Sequence, residues 1–282
     1  LIKLHKLEFS IKAMCRALKV ERSGYYSWIA NPISQRAKEN KIISKHVKTF
    51  WEDSQRIYGY RKIHNDLQNI NLIVGKDKVR RLMRSMNIKA MIGSKKKHAK
   101  YGKPSVLANN LLKQDFDVGL PNVAWVTDIT YIWTSEGWLY LCVILDLFAR
   151  RIVGWDTGSQ QKTKLILSAL GKAVRQRKPS PNLVVHSDQG TQFTSYAWRG
   201  ELLKNDMIMS NSRRGNCFDN AVAENFFSLI KREAIQNTVF KTREEVRCII
   251  FEYIEMFYNP TRQHSYLGGL SPAEYEKAYL SS

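Results

Sequence analysis

Two different spacings of apolar residues divide the chain. Up to residue 92, apolar side chains recur every three to four positions, which is typical of helices that bury one face. This spacing predicts helices over residues 11–19, 34–52, 58–67 and 76–88. Between the first two of them, the segment 23–28 opens with Ser-Gly and predicts a turn. The first part of the chain is therefore predicted to be all-helical.

From residue 123 onward, short runs rich in β-branched and aromatic residues predict strands. Residues 123–133, 138–147 and 151–155 form three such runs separated by short turns, which indicates an antiparallel meander. The elements predicted after the meander are helix 162–177, strand 182–188, helix 195–205, strand 207–212, and helices 220–235, 242–258 and 272–280. This order favours an α/β fold with a mixed five-stranded sheet. The tryptophans on strands are expected in the core, namely Trp125, Trp133, Trp138 and Trp155.

These elements and the composition between them divide the chain into four parts. Residues 1–92 form a basic helical region, and residues 93–121 form a linker with a lysine run and no periodicity. Residues 122–236 form the α/β core, and residues 237–282 form a helical extension of that core.

Charge is concentrated in the helical region. The chain has 45 Lys and Arg against 25 Asp and Glu, a net charge of +20, and residues 1–100 hold 24 of the basic and 7 of the acidic residues. A strongly basic block joined to a nearly neutral one is typical of a module that binds a polyanion, and DNA is the leading candidate. The hydrophobic fraction of 44% excludes general disorder.

The last two helices of the basic region fit a helix-turn-helix, because a glycine-containing turn joins them and the second helix is strongly basic. Its candidate DNA contacts are Lys76, Lys78, Arg80, Arg81 and Arg84. The alternative is a solvated basic helix that packs on its apolar side. DNA contact is favoured because the whole region, and not one helix, carries the charge.

Other features of the composition exclude several classes of protein. No run approaches eighteen apolar residues, so no membrane span is predicted. The four cysteines form no CxxC pair, which indicates reduced thiols in a cytoplasmic protein and supports neither a disulfide framework nor a zinc site. Because residue 1 is leucine rather than methionine, we expect this chain to be either a fragment or part of a longer product.

Three acidic residues stand where an acidic side chain is costly. Asp128 lies in the middle of a predicted strand, Asp188 ends an apolar strand, and Glu224 lies one turn into a helix among alanines and phenylalanines. Taken singly, they have ordinary explanations: an Asp bonded to a backbone amide, a turn residue, and a Glu favoured by the helix dipole. Taken together, they predict a shared site for two divalent cations, because carboxylate oxygens are suitable ligands for Mg²⁺ or Mn²⁺. Two neighbouring metal ions are suited to phosphodiester chemistry.

The segments around these acids resemble the signature blocks of DDE transposases and retroviral-type integrases. The three blocks are WVTDITYI (125–132), HSDQGTQF (186–193) and DNAVAENFFSLIKRE (219–233). Between Asp188 and Glu224 lie 35 residues, the spacing for which the D,D(35)E group is named. More narrowly, nearly the whole chain resembles the second-frame (OrfB) part of the IS-three family of bacterial insertion-sequence transposases. The flanking motifs that match this family are SGYYSW (23–28), YGYRKIHNDL (58–67), VRRLMRSMNIKA (79–90) and YNPTRQHSYLGGLSP (258–272).

The resemblance implies a ribonuclease-H-like core that carries Asp128, Asp188 and Glu224 as ligands of two Mg²⁺ (or Mn²⁺) ions. It implies a polynucleotidyl transferase that nicks the ends of an element and joins the freed 3′-OH to target DNA, with Lys231 near the scissile phosphate. The expected partners are DNA, further copies of this chain on the DNA, and a first-frame helix-turn-helix and leucine-zipper segment that this chain lacks. The expected location is the bacterial cytoplasm, at the nucleoid.

Further polar residues near the acids are weaker candidates. Arg213 and Arg214 stand in a polar loop and are either phosphate contacts or solvated charges. His186 is either a core histidine or a proton carrier, and Asn220 either caps the helix after it or positions the neighbouring glutamate. For Arg262, a DNA contact and a cap of the C-terminal part are both open.

Two other functions fit part of the pattern. A catalytically silent DNA-binding regulator derived from a transposase would explain the charge but has no use for three clustered carboxylates. A general nuclease of ribonuclease-H type would explain the carboxylates but not the basic helices. We therefore expect a transposase, and metal-dependent cleavage followed by transfer of a 3′-OH end distinguishes it from both.

Overall fold

The computed structural model of the chain describes residues 1–91, 107–112, 115–213, 220–235 and 238–281. The chain divides into two compact units, Leu1–Ala90 and Met91–Ser282. Within the described ranges, none of the helices is both long enough and apolar enough to cross a membrane.

The N-terminal unit is built from helices that follow the predicted apolar spacing. They are α1 (Ile11–Ala17), α2 (Arg22–Ala30), α3 (Gln35–Asp53), α4 (Tyr60–Asn69) and α5 (Lys76–Ser85). Helix α2 covers the segment in which we predicted a turn, so that prediction is wrong. Gly24 lies in the first turn of α2, where a glycine costs less than in a helix interior, and the aromatic run after it continues the helix.

Helices α3, α4 and α5 pack on one another around a small apolar core. Its members include Val47, Ile63, Leu67 and Val79, which are fully buried. Gly75 is the residue directly before α5, and its backbone is extended. It therefore ends the turn that follows α4. This arrangement is the helix-turn-helix that the sequence predicts.

The second unit is organised around a mixed sheet. Its strands are β1 (Ala124–Thr134), β2 (Gly137–Asp146), β3 (Arg151–Gly158), β4 (Val184–Ser187) and β5 (Ile208–Asn211). Their order across the sheet is β3-β2-β1-β4-β5. The first three strands are antiparallel neighbours, whereas β4 runs parallel to β1 and β5 runs parallel to β4. The predicted five-stranded mixed sheet is confirmed.

Helices surround this sheet. They are α6 (Thr163–Arg177), α7 (Tyr196–Lys204), α8 (Ala221–Ile230), α9 (Arg243–Phe251) and α10 (Pro272–Leu280). Helix α8 continues as a π-helical turn over Lys231–Ile235, and α9 does so over Glu252–Tyr258. Trp125, Leu170 and Trp198 belong to one continuous apolar core that joins α6 and α7 to the sheet.

Helix α6 approaches the sheet closely at Gly154. A Cβ atom at this position would lie 2.6 Å from the carbonyl oxygen of Ala169 and 2.7 Å from the Cβ atom of Ala173. These distances are shorter than van der Waals contact, so a side chain at position 154 would force α6 away from β3.

The β1–β2 hairpin extends beyond the rest of the sheet. β1 pairs with β4 only up to Val126, whereas its pairing with β2 continues to Thr134. Trp133 and Trp138 face each other across the end of the hairpin and are 51% and 41% exposed, so their predicted place in the core is wrong. Trp125, on the covered part of β1, is fully buried as predicted.

Both outer strands of the sheet are bonded to chain segments outside it. On β3, the side-chain amide of Asn259 accepts a hydrogen bond from the backbone N–H of Ile152 and donates one to its carbonyl, both at 3.0 Å. On β5, the side chain of Asn211 accepts a hydrogen bond from the backbone N–H of Ala108 at 2.9 Å. The two bonds to Ile152 occupy backbone groups that a further strand would otherwise use, whereas the bond on β5 is made by a side chain.

Helix α10 is anchored to the sheet by Glu276, which is buried and accepts hydrogen bonds from Arg151 (2.6 Å) and Arg177. Burial alone would raise the pKa of Glu276, but the hydrogen bonds and positive charges of these arginines hold it below its ordinary value. Arg177 also pairs with the buried Asp146 at the end of β2. The C-terminal helix is thereby tied to the sheet by charge as well as by apolar packing.

Candidate active site

Two of the three predicted acids lie at the ends of neighbouring parallel strands. The last residues paired between β1 and β4 are Val126 and His186. Asp128 and Asp188 each follow two residues later, so the parallel register places them side by side at the carboxyl end of the strand pair. Neighbouring strands are about 4.8 Å apart. In α/β sheets this edge is where ligands bind most often.

Each aspartate is held by one backbone amide. The backbone N–H of Ile129 donates to Asp128 Oδ1 at 2.7 Å, and that of Gly190 donates to Asp188 Oδ1 at 2.9 Å. A Cβ atom on Gly190 would itself lie 2.9 Å from Asp188 Oδ1, so a side chain at position 190 would require the Asp188 carboxylate to shift. Among the described residues, the second oxygen of each aspartate has no hydrogen-bond partner and is available to a ligand.

The acids raise one another's pKa. The pKa of Asp128 lies well above its ordinary value because of burial and the negative charge of Asp188, with a further contribution from Glu224. The amide of Ile129 and the positive charge of Lys231 oppose this rise. Burial likewise raises the pKa of Asp188, against the effect of its amide hydrogen bond. Two carboxylates ~4 Å apart repel by roughly 4 kcal/mol at an effective dielectric constant of about 20, so this cluster favours a bound cation or proton.

Asn220 connects the helix of Glu224 to the strand of Asp128. Glu224 lies in the first turn of α8, and Asn220 is the residue before that helix. The Asn220 side chain makes no capping hydrogen bond; instead its amide donates to the carbonyl of Thr127 at 3.3 Å, next to Asp128. Its Oδ1 atom is buried and has no hydrogen-bond partner among the described residues. The bond fixes where α8 begins relative to β1.

The donor atoms at this site suit a hard divalent cation. The two aspartates have unbonded oxygens, the Asn220 oxygen is unpaired among the described residues, and the carboxylates repel one another. Across the described ranges, no group of three His, Cys, Asp or Glu residues is arranged to hold a metal ion. The structure thus brings Asp128 and Asp188 together and places Glu224 within electrostatic range of them, but does not close the three acids into one ligand set.

The cations predicted near the acids lie in different surroundings. Lys231 is half-buried at the start of the π-helical turn, and its Nζ atom lies 5.2 Å from the ring centroid of Tyr131. Arg213 is exposed, and Arg214 lies outside the described residues. The positive charge of Lys231 reaches the acidic site, because it lowers the pKa of Asp128.

His186 lies within the sheet. It is fully buried, with Nδ1 2.8 Å from the hydroxyl of Ser210 and Nε2 3.4 Å from that of Ser212. Both ring nitrogens are therefore engaged between β4 and β5, as in a core histidine.

The basic residues of α5 cover the side of the helix opposite its buried face. Val79 and Met83 are buried against α3 and α4. The predicted DNA contacts that are exposed are Lys76, Arg80, Arg81 and Arg84, while Lys78 is half-buried. Arg80 forms an exposed ion pair with Asp77 at 3.4 Å. This surface has the charge and shape expected of a recognition helix.

Comparison with sequence families matches the same two units. Residues 37–97 match a family model described as HTH-like domain, and residues 120–217 and 224–280 match two models described as Integrase core domain. Among curated proteins, Transposase InsF for insertion sequence IS3A of Escherichia coli (strain K12) is 37% identical over 285 residues, with 99% of this chain and 98% of that protein covered. The chain belongs to the IS3 family of insertion-sequence transposases.

Other members of the IS3 family and more distant structures also match. An insertion element IS600 protein of 31 kDa from Shigella sonnei is 36% identical over 267 residues, covering 94% of this chain and 98% of that protein. Solved structures include a simian T-cell lymphotropic virus intasome (TM-score 0.45, 12% identity, 77% of this chain and 74% of that chain). They also include the HTLV-2 integrase catalytic core with magnesium (TM-score 0.44, 15% identity, 56% of this chain and 98% of that chain). The family matches confirm the predicted integrase-type core and the predicted transposase family.

The sequence analysis of this IS3-family chain did not predict a buried ion pair in the α/β unit. Arg262 donates to both oxygens of Glu233, from Nε at 2.7 Å and from Nη2 at 2.6 Å, and the hydroxyl of Tyr253 donates to Glu233 Oε2 at 2.7 Å. All three side chains are buried. Burial alone would lower the pKa of Arg262, but its hydrogen bonds to Glu233 outweigh burial and raise it.

This cluster joins two distant parts of the chain. Glu233 lies in the π-helical turn that continues α8, Tyr253 lies in the turn that continues α9, and Arg262 follows the Asn-Pro-Thr turn. For Arg262, the sequence left open a DNA contact and a cap of the C-terminal part. Its buried hydrogen bonds to Glu233 correspond to the structural role. The signal in the sequence was that Glu233 follows Leu229 and Ile230 by four and three residues, which places an acidic side chain on the apolar side of the helix.

Proposed function

We propose that this chain supplies the catalytic core and a DNA-binding unit of an insertion-sequence transposase, acting as a polynucleotidyl transferase. The observation that carries the proposal is the side-by-side placement of Asp128 and Asp188, together with the charge of Glu224 that acts on Asp128. A site that gathers negative charge at the carboxyl ends of parallel strands suits a metal-dependent reaction of DNA phosphates. The proposed reaction is cleavage at the element ends, followed by attack of the freed 3′-OH on a phosphodiester of target DNA.

In this proposal the acids of the chain hold two Mg²⁺ or Mn²⁺ ions. The bound ions would activate the attacking oxygen and stabilise the leaving oxygen. Asp128 and Asp188 provide the rigid ligands, because their strands fix their separation, and Glu224 completes the set from the helix. Asn220 positions that helix through its bond to the strand of Asp128. Lys231 would neutralise charge on a phosphate beside the acids.

DNA contact is proposed for two surfaces. The exposed basic side of α5 would enter a groove or follow the phosphates, as a recognition helix does. Arg213 and Arg214 would contact phosphates near the acids. We further propose that several copies act together on the two element ends, in the bacterial cytoplasm where that DNA lies, and that a first-frame segment contributes to end recognition.

Replacement of the acids tests the catalytic part of the proposal. Glu224→Gln and Asp128→Asn should abolish Mg²⁺-dependent nicking and strand transfer on duplexes that carry the element ends, while retaining DNA binding. Glu244→Gln is the matched control, because this glutamate is exposed on α9 and forms only a long surface pair. Unchanged strand transfer by Glu224→Gln would remove that residue from the mechanism. A wild-type chain that binds the ends but never cleaves them, at any Mg²⁺ or Mn²⁺ concentration, would be a DNA-binding regulator instead.

A further inference from the structure

An exposed aromatic cluster lies at the end of the β1–β2 hairpin, outside the acidic site. It consists of Tyr131, Trp133 and Trp138, which are 51%, 51% and 41% exposed. Large aromatic side chains normally bury most of their surface, so three exposed ones in contact indicate a surface with a ligand.

The rings of this cluster are arranged edge to face. Trp138 lies between the other two, with ring centroids 4.9 Å from Tyr131 and 4.8 Å from Trp133 and interplanar angles of 83° and 73°. Stacked rings would cover each other's faces, whereas edge-to-face pairs cover a face on only one ring of each pair. The cluster therefore retains aromatic faces on which a flat ligand can stack.

The hairpin that carries the cluster is held in place by Arg243. Its guanidinium donates to the carbonyls of Trp138 (3.0 Å) and Glu136 (2.6 Å), and its backbone N–H donates to the Glu136 carboxylate at 2.8 Å. The backbone N–H of Ser135 also donates to the carbonyl of Phe240 at 2.9 Å. These bonds fix the rings before any ligand arrives, which lowers the entropic cost of binding.

Positive charge links the cluster to the acidic site. The Nζ atom of Lys231 lies 5.2 Å from the ring centroid of Tyr131, and the same charge acts on Asp128. Tyr131 follows Asp128 by three residues, about 10 Å along an extended strand, and this odd spacing places the two side chains on opposite faces of β1. DNA that joins the acidic site to the rings must therefore pass the edge of β1, which β4 leaves unpaired beyond Val126. Aromatic rings beside cations are the usual binding surface for unpaired bases.

We propose that Tyr131, Trp133 and Trp138 form a stacking platform for an unpaired base of the DNA strand whose phosphate lies at the acidic site. The platform would hold a strand end open next to the reacting phosphate, and this inference rests on the proposed function. Charge complementarity favours DNA over a protein partner, because Lys231 and Arg243 adjoin the rings and the only acid of the hairpin tip, Glu136, is bonded to Arg243.

The test uses the full chain and DNA duplexes that contain the element end. Each duplex carries the fluorescent base 2-aminopurine at one of the last three nucleotides of the end, and these nucleotides are either base-paired or left unpaired. The wild type should bind the unpaired end more tightly and quench 2-aminopurine at one position by stacking. Tyr131→Leu and Trp138→Leu should abolish that quenching and weaken binding to the unpaired end by roughly 5- to 150-fold, with little change for the fully paired duplex. Trp138→Phe should retain most of the effect, which separates stacking from misfolding. Tyr196→Leu is the matched control, because Tyr196 is an aromatic residue on α7 that is 78% exposed.

Two results would overturn the platform. One is equal affinity of the wild type for paired and unpaired ends. The other is loss of self-association by Tyr131→Leu and Trp138→Leu in sedimentation, with the preference for unpaired ends unchanged, which would identify a protein interface. Metal-dependent cleavage by the wild type is measured in parallel. If cleavage occurs and the preference is absent, the platform fails alone; if cleavage never occurs, the proposed function fails.

Discussion

Removal of Arg262 should destabilise the α/β unit far more than removal of a surface arginine. In Arg262→Met, the buried carboxylate of Glu233 loses both of its short hydrogen bonds to the guanidinium. The bond from the Tyr253 hydroxyl and the longer contact to Arg232, at 3.4 Å, are among the interactions that Glu233 keeps. Breaking a buried ion pair by removing one partner costs about 3–5 kcal/mol, because the remaining buried charge loses its main compensating partner.

Urea denaturation followed by tryptophan fluorescence measures this cost. Five of the seven tryptophans lie in the α/β unit, so the signal reports mainly on its unfolding. With an m value of about 2–3 kcal/mol/M, the loss corresponds to a midpoint lower by roughly 1–2.5 M. Arg247→Met is the control, because Arg247 pairs with Glu244 at 3.8 Å on the surface, where such a pair contributes about 0–1 kcal/mol.

A double-mutant cycle separates the ion pair from lost packing. Glu233→Met combined with Arg262→Met removes both charges, so the double variant should be destabilised by at least ~1.5 kcal/mol less than the sum of the single variants. Strict additivity, or a loss below about 1 kcal/mol for Arg262→Met, would refute the reasoning. If that variant instead kept its stability and reduced the salt dependence of DNA binding, Arg262 would be a DNA contact.

Three further outcomes follow from the described geometry. Gly154→Ala should destabilise the α/β unit by about 1–3 kcal/mol through overpacking, whereas Gly200→Ala, a helical glycine with open space around it, should raise the melting temperature. Because the folded-state pKa of Glu276 is lowered, its ion pairs stabilise the fold fully above the ordinary pKa of a glutamate and progressively less as the pH falls through the lowered pKa. The difference in melting temperature between wild type and Glu276→Gln should therefore shrink between about pH 7 and about pH 3.5. A constant difference would contradict this reasoning. Arg84→Ala should reduce the slope of log affinity for DNA against log salt concentration by about 1, while Lys204→Ala, exposed on α7, should leave the slope unchanged.

Periodicity predicted the helices and strands well because most of them bury one clear face. It failed where burial depends on neighbours that are far away in the sequence. Trp133 and Trp138 have the composition of core strand residues, but they lie at the end of the β1–β2 hairpin, which extends beyond β4 and the rest of the sheet. Gly24 was taken as a turn signal, although its position in the first helical turn makes it tolerable.

The candidate site was predictable only in part, for a related reason. Motif spacing identified Asp128, Asp188 and Glu224, and the parallel register of β1 and β4 explains why the two aspartates are neighbours. No local pattern could show that Arg262 reaches back to Glu233, because the contact depends on how the two π-helical turns pack. The individual roles of the three acids and of the DNA contacts stay predictions for the experiments above.

The side chain of Asn259 imitates, for one residue, the strand that would lie next in the sheet. With both backbone groups of Ile152 already taken, an incoming segment from another molecule would have to displace this amide before it could extend the ladder. On the opposite border, Asn211 binds a segment of the same chain. Addition of a strand from another molecule to β3 is thereby disfavoured at Ile152.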